Sequence, residues 1–159
     1  TTIYALKKAK DNDCLTILNP APARKMNKDD FKLLDFFTPN ETEAEFYLNK
    51  KIDTEQDIKN AAADFLNMGV KNIIITLGEK GSYFANENDE YFINAFKLKN
   101  EVVDTTGAGD AFNGALAVAL AKDFSYKDAI LFANKVAGIS TTRLGAAVSM
   151  PLLKKVEEY

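Results

Sequence analysis

No histidine occurs anywhere in the chain. That removes Ser-His-Asp and Cys-His catalysis, His-ligated zinc and any imidazole general base. Cysteine occurs once, as Cys14, so neither an internal disulfide nor a multi-cysteine metal cluster is available. Cys14 opens the apolar run CLTIL and reads as a small buried hydrophobe. No apolar run approaches the roughly 20 residues that cross a bilayer. A charged n-region followed by an apolar h-region is also missing from the start, so the chain reads as cytoplasmic with no membrane partner. Net charge is −3 with both signs well mixed, and the clustered basic surface expected of a nucleic-acid binder is absent. Repeats, low-complexity tracts and interdomain linkers are lacking too. Catalysis here must use carboxylates, hydroxyls, Lys or Arg, backbone dipoles, or a hard metal ion.

What is present has the length and composition of one domain. With 159 residues, 47% of them hydrophobic, the chain can bury a sizeable core. The expectation is a single α/β domain over residues 1–159. TTIYALKKAKDND has helical spacing but nothing caps its start, so it reads as the tail of an element begun earlier. CLTILN is a short continuous apolar run, as expected of a strand covered on both faces. NKDDFKLLD reads as a helix capped near Asn27 to Asp30, DFFTPN as a second strand, and ETEAEFYL as a helix with acids in its first turn.

DTEQDIKNAAADFLNMG is the clearest helix, with Thr54 and Asp57 placed for an N-terminal cap and Gly69 for a stop. VKNIIITLG reads as a central strand, and KGSYFANENDEYFINAFKLK as a hairpin turning at Asn86 to Asp89. Helices are expected from about residue 109 to 122, from about 125 to 142, and after Pro151. Alternating strands and helices imply right-handed β-α-β units and a mostly parallel sheet, whose ligands bind beyond the carboxyl ends of the strands. NPAPA, TPNETE, TLGEKG and DTTGAGD each follow a predicted strand, so four loops are expected to converge at one edge of the sheet.

TTGAGD is not a Walker A loop, since no Gly-Lys-Ser/Thr follows, and it fails the dinucleotide fingerprint because Phe112 stands where the third glycine belongs. Gly107 and Gly109 let the backbone approach a ligand closely. The N–H groups of residues 107 to 110 then form an anion site at the positive end of a helix, although a tight turn capped by Asp110 remains an alternative. Beside a bound phosphate, Asp110 has a task as the base that takes a proton from an attacking hydroxyl. Asn40 and Glu43 suit a hydrated magnesium ion, or equally a capping box. The loop from Leu77 to Ser82 borders a nucleotide or merely connects strands. Asp104 and Thr106, with the small residues of ISTTRLGAAVSMP, could surround a monovalent cation. Phe112, Leu116, Phe132 and Ala133 read as core.

Taken together, NPAPA, TPNETEAE, ITLGEKG and DTTGAGDAFNGAL resemble the ribokinase subgroup of the carbohydrate kinase family of phosphofructokinase-B type. The resemblance covers essentially the whole chain but matches only the family's C-terminal half. It implies a ribokinase-like three-layer α/β/α sandwich, truncated by loss of the N-terminal part and lid sheet, and ATP-dependent phosphorylation of a sugar hydroxyl, that of ribose or of another sugar or nucleoside. By the resemblance, Asp110 is the catalytic base that meets the substrate, and Gly107, Ala108 and Gly109 form the anion hole. Asn40 and Glu43 organise Mg2+ and phosphate, with Asn19 near the phosphates. Glu79, Lys80, Gly81, Ser82, Tyr83, Phe84, Gly109 and Asn134 line ATP. Asp104, Thr106, Ser140, Arg143, Gly145 and Ser149 hold an activating K+. The partners implied are ATP and a small sugar, with a homodimeric parent whose interface the lid would form. The truncated chain is expected to expose apolar surface and to have little kinase activity alone, or to be an inactive nucleotide-binding fragment.

Overall fold

A computed structural model describes residues 1–159. The chain divides into two compact units, one of Thr1–Gly78 with Ser82–Phe92, the other of Glu79–Gly81 with Ile93–Tyr159.

The first unit is built on a five-stranded sheet in the order β1-β2-β3-β4-β5: β1 Ile17–Leu18, β2 Phe36–Phe37, β3 Asn72–Thr76, β4 Ser82–Asn86 and β5 Glu90–Ile93. β1, β2 and β3 run parallel, with Ile17 opposite Phe36 and Phe36 opposite Asn72. β4 returns antiparallel, with Ile74 opposite Phe84, so the sheet is mixed. Asn86 accepts the N–H groups of Asn88 and Asp89 through its Oδ1, both at 2.8 Å, which makes the turn into β5 where NEND foretold it.

Strand alternation sorts the apolar residues to two faces. Phe37, Ile73, Ile75, Tyr83 and Ala85 join the core beneath helices α1 (Thr2–Lys10), α2 (Glu41–Leu48) and α3 (Glu55–Asn67), which contribute Leu6, Ala44 and Phe65. Phe36, Ile74 and Phe84 turn the other way and are equally buried. Burial on both faces explains why these strands read as continuous apolar runs. Phe31, Phe37, Tyr47 and Phe65 pack edge-on or tilted at 5.1–6.1 Å between ring centres, a geometry that aromatic quadrupoles favour.

At the amino ends of the strands, Asp35 accepts from Lys10, from Lys71 at 2.9 Å, and from the N–H and hydroxyl of Thr16. Burial alone would raise its pKa, but these donors win and hold the carboxyl well below the usual range.

The second unit packs α4 (Ala108–Ala121) on α5 (Tyr126–Ser140), followed by the short α6 (Leu153–Glu157). Ala111, Phe112, Ala115, Leu116 and Ala119 of α4 are buried, as are Ala129, Ile130, Ala133 and Val136 of α5. Phe132 is only half-buried. Leu144, Val148 and Leu152, in the stretch after α5, are at least 75% exposed.

Three expectations need correction. Residues 28–33 form a 3-10 turn rather than an α-helix, closing after Asn27 and Asp30 as read. Cys14 is exposed, because it stands just before the covered part of its apolar run. The stretch leading into DTTGAGD, β-branched EVVDTT and expected as a strand before that loop, is not one: the N–H groups of Val103 and Asp104 go to Thr141 O at 2.8 and 3.1 Å, at the end of a helix rather than the edge of a sheet. Intrinsic strand preference needs a neighbouring strand to express it. DTTGAGD therefore follows an extended loop, and only three of the four loops follow strands.

Candidate active site

In the first unit, parallel pairing brings the carboxyl ends of β1, β2 and β3 together. Asn19 donates through Nδ2 to Thr38 O at 3.0 Å, tying the loop after β1 to the one after β2. Thr76 N–H donates to Pro39 O at 2.9 Å, tying the loop after β2 to the end of β3. Asn40 and Glu43 meet as a closed capping box: Asn40 Oδ1 accepts Glu43 N–H at 2.8 Å, and Glu43 Oε2 accepts Asn40 N–H at 2.9 Å. The cap occupies one oxygen of each side chain. The Asn40 amide NH2 and Glu43 Oε1 are left over, a donor set suited to phosphate and to the waters of Mg2+ rather than to direct ligation.

Ser82, Tyr83 and Phe84 lie within β4 and are at most 1% exposed. Tyr83 donates its hydroxyl to Glu90 at 2.7 Å, and burial and that carboxylate push its pKa up. Phe84 stacks on Tyr91 at 5.0 Å. Both aromatic rings are therefore occupied by packing.

In the second unit, Glu79 and Lys80 are exposed. Gly81 is buried at φ +101°, where a Cβ would run into the backbone of Ile93 to Ala95. Asn134 is buried on α5. Asp104 is the hinge of the cation-loop candidates: Oδ1 accepts Thr106 N–H at 2.9 Å and Oδ2 accepts Gly145 N–H at 2.8 Å. The Thr106 hydroxyl and N–H, then the Gly145 N–H, hold its carboxyl below the usual range. The carbonyls of Thr106, Arg143 and Gly145 accept no backbone hydrogen bond. The hydroxyls of Ser140 and Ser149 donate to Ala137 O and Ala146 O, both at 2.7 Å, which leaves their lone pairs for a cation. Carbonyl and hydroxyl oxygens are the ligand type that a hard monovalent cation takes.

α4 starts from Gly107, held left-handed at φ +79°. A Cβ there would lie 3.0 Å from Ala146 Cβ and 3.3 Å from Met150 Cε. The Ala108 N–H is taken by Thr105 O at 3.1 Å, so Ala108 does not offer the donor expected of it. The N–H groups of Gly109 and Asp110 have no acceptor in the chain. Gly109 is exposed, and nothing lies within 4 Å of where its Cβ would be.

Five helical starts place an acid three residues after the cap, and in four of them the carboxylate reaches back. Asp30 accepts from Asn27 N–H at 3.2 Å, Glu43 from Asn40 N–H, Asp57 from Thr54 N–H at 2.9 Å, and Asp128 from the Ser125 hydroxyl at 2.6 Å. Asp110 alone makes no hydrogen bond and no ion pair, and it is exposed. An open pair of N–H groups beside an uncommitted carboxylate is an arrangement for an anion and a proton from outside the chain.

The family model for pfkB carbohydrate kinases matches residues 1–153. The chain belongs to the pfkB carbohydrate kinase family. Among curated relatives, a ribokinase of Staphylococcus aureus is 41% identical over 98% of this chain and 51% of its own length. A deoxyribokinase of Salmonella typhi is 36% identical over 100% of this chain and 52% of its own. A solved structure of Arabidopsis thaliana ribokinase, complexed with ribose and ATP, superposes with a TM-score of 0.89 at 30% identity, covering 98% of this chain and 50% of that one. The pfkB chain thus has the ribokinase-like α/β fold and spans about half the length of the curated relatives it matches.

Sequence reading passed over several residues that shape the start of α4 and the loop beside it. Thr105 and Thr141 act through backbone carbonyls, and Ala146 acts by crowding Gly107. None carries a side-chain signal. Asn113, which donates to Gly109 O at 2.8 Å, was open to discovery from its i+4 spacing.

Proposed function

We propose that the chain is the nucleotide- and phosphate-binding part of a ribokinase-like sugar kinase, which transfers the terminal phosphoryl group of ATP to a hydroxyl of ribose. The observation that carries this reading is the unengaged start of α4, with the open N–H groups of Gly109 and Asp110 beside a free carboxylate. The two N–H groups, at the positive end of the helix, would face the equatorial oxygens of the transferring group and favour the charge that spreads over them. The acceptor hydroxyl attacks phosphorus as the bond to ADP breaks, and its proton passes to the Asp110 carboxylate. In a loose transition state that proton leaves late, so a weak base in the right place suffices.

Asn40 and Glu43 would hold Mg2+ through its waters and the phosphates, the ion supplying charge neutralisation. Asp104, Thr106, Ser140, Arg143, Gly145 and Ser149 would hold K+, which supplies fixed positive charge near the loop. Glu79, Lys80 and Asn134 remain candidates for the nucleotide's rim. The deoxyribokinase relative, at 36% identity, favours a second reading in which the acceptor is another sugar; kcat/KM for ribose against 2-deoxyribose decides between them.

Titration of the 159-residue chain with a non-hydrolysable ATP analogue in Mg2+ is expected to give saturable binding that Asp110→Asn largely keeps. Where sugar phosphorylation is measurable, Asp110→Asn lowers kcat by about 10²–10⁴-fold. An isotherm without binding, or undiminished turnover in the variant, would sink the reading. Alone, the chain is expected to turn over little ATP with ribose.

A further inference from the structure

Asn113 stands one helical turn beyond the open N–H groups of α4 and holds one of their peptides from the far side. Its Nδ2 donates to Gly109 O at 2.8 Å. A carbonyl oxygen only accepts, so the contact assigns the NH2 group, not the oxygen, of the side chain to this side. The helix ladder already gives a carbonyl the N–H of the residue four ahead, so Gly109 O receives two donors from the same residue. Gly109 C=O and Asp110 N–H belong to one peptide plane and point in opposite directions. Whatever fixes the carbonyl therefore fixes the N–H. That N–H is one of the two at this helix start without an acceptor in the chain.

This peptide needs such support. Gly107 at the cap position has no side chain to offer, and Gly109 has no Cβ to restrict its own dihedrals. Helix ends fray where nothing holds them. At α2, α3 and α5 the cap side chains of Asn40, Thr54 and Ser125 accept the N–H three residues on. Those caps steady the first turn, but they occupy the donor. Asn113 steadies the turn through a carbonyl and leaves the donor open. A second hydrogen bond on the carbonyl also polarises the peptide and makes its N–H the stronger donor. Asparagine is a poor helix former, so at a half-buried position inside α4 it gives up stability that alanine would supply. A residue that breaks the local rule in this way is expected where function asks for it.

We propose that Asn113 is a positioning residue of the phosphate site: it holds the Gly109–Asp110 peptide with its N–H turned toward the anion, and it acts through that peptide without touching the ligand. The proposal rests on the nucleotide reading of α4 and adds to it the device that keeps an uncapped turn in order.

The test compares the 159-residue chain with Asn113→Ala, which removes the donor, and Asn113→Leu, which removes it at nearly the same volume. Each is followed by thermal melting, by the 15N resonance of the Asp110 amide in the free chain, and by affinity for the non-hydrolysable ATP analogue in Mg2+. An amide 15N shift senses hydrogen bonding at the carbonyl of its own peptide. In both variants the Asp110 resonance should move, and melting should be unchanged or raised, since alanine and leucine are better helix formers. Affinity should fall by about 3–10-fold. The proposal is overturned by an Asp110 resonance that stays in place, or by variants that bind the analogue as the parent does. It is equally overturned by weakening in Asn113→Ala alone, which is a packing effect, or by weakening that comes with a lower melting temperature, which is damage to the helix. A parent that binds no analogue sinks the nucleotide reading instead, and the resonance then decides by itself whether Asn113 braces the peptide.

Discussion

α2 and α4 both begin with an acid in the third helical position, Glu43 in one and Asp110 in the other, yet the chain treats their unpaired N–H groups in opposite ways. At α2, Asn40 and Glu43 exchange hydrogen bonds at 2.8 and 2.9 Å, and the orphan donors are satisfied from within. At α4 the cap position is glycine, the acid does not reach back, and two N–H groups stay unsatisfied at the surface. Closing a helix end stabilises a fold. Leaving one open forgoes that stabilisation, and the gain then has to come from something outside the chain. The contrast separates a carboxylate that gives one oxygen to its own helix from one with both oxygens free to act, although both occur in nearly the same sequence context.

The strongest way to break the comparison is Gly107→Val. At φ +79°, with Ala146 Cβ only 3.0 Å from the new Cβ, a branched side chain suffers both backbone strain and overlap. A loss of about 1–3 kcal/mol in denaturant unfolding is expected, together with loss of nucleotide binding. Next is Asn40→Ala, which removes the α2 cap and should cost about 1 kcal/mol. Because Asn40 is also proposed to hold phosphate and the waters of Mg2+, affinity for the ATP analogue in Mg2+ should fall as well; a loss of stability with affinity unchanged would confine Asn40 to the cap.

Asp104 sharpens the same contrast through pH. It is the acid near the start of α4 that is committed to the chain, by way of Thr106 and Gly145. Its pKa is depressed in the folded state, so its stabilising contribution is fully present above the unfolded carboxylate value of about 4 and is lost as pH falls through the folded value. Unfolding measured from pH 7 downward should show Asp104→Asn less stable than the parent at neutral pH. The two curves should converge below about pH 4. A constant offset would mean that the interaction does not depend on charge.

The parts of the molecule that were legible in sequence are those decided locally. VKNIIITLG was readable as β3 because a strand buried on both faces must be apolar throughout, and Thr54 with Asp57 was readable as a cap because its bonding partners are three residues apart. What failed was decided at a distance. EVVDTT has strand-forming residues but meets Thr141 O instead of a strand. The uncommitted state of Asp110 was not visible either, since Gly-x-x-Asp differs from a closed cap only in lacking a side chain at its first position.

Gly109→Ala produces the smallest change and separates two explanations for that glycine. The residue is in helical conformation, and open space surrounds its missing Cβ, so nothing inside the chain requires glycine there. Alanine is the better helix former, and the variant should be more stable than the parent by about 0.5–1 kcal/mol. If a phosphate group rests against this turn, the added methyl stands in its way, and affinity for the ATP analogue should fall while stability rises. Changes of opposite sign in one variant cannot come from damage to the fold, so they would assign the glycine to the ligand. A variant that gains stability and binds the analogue as before would leave the α4 start a plain helix end, no different in kind from that of α2.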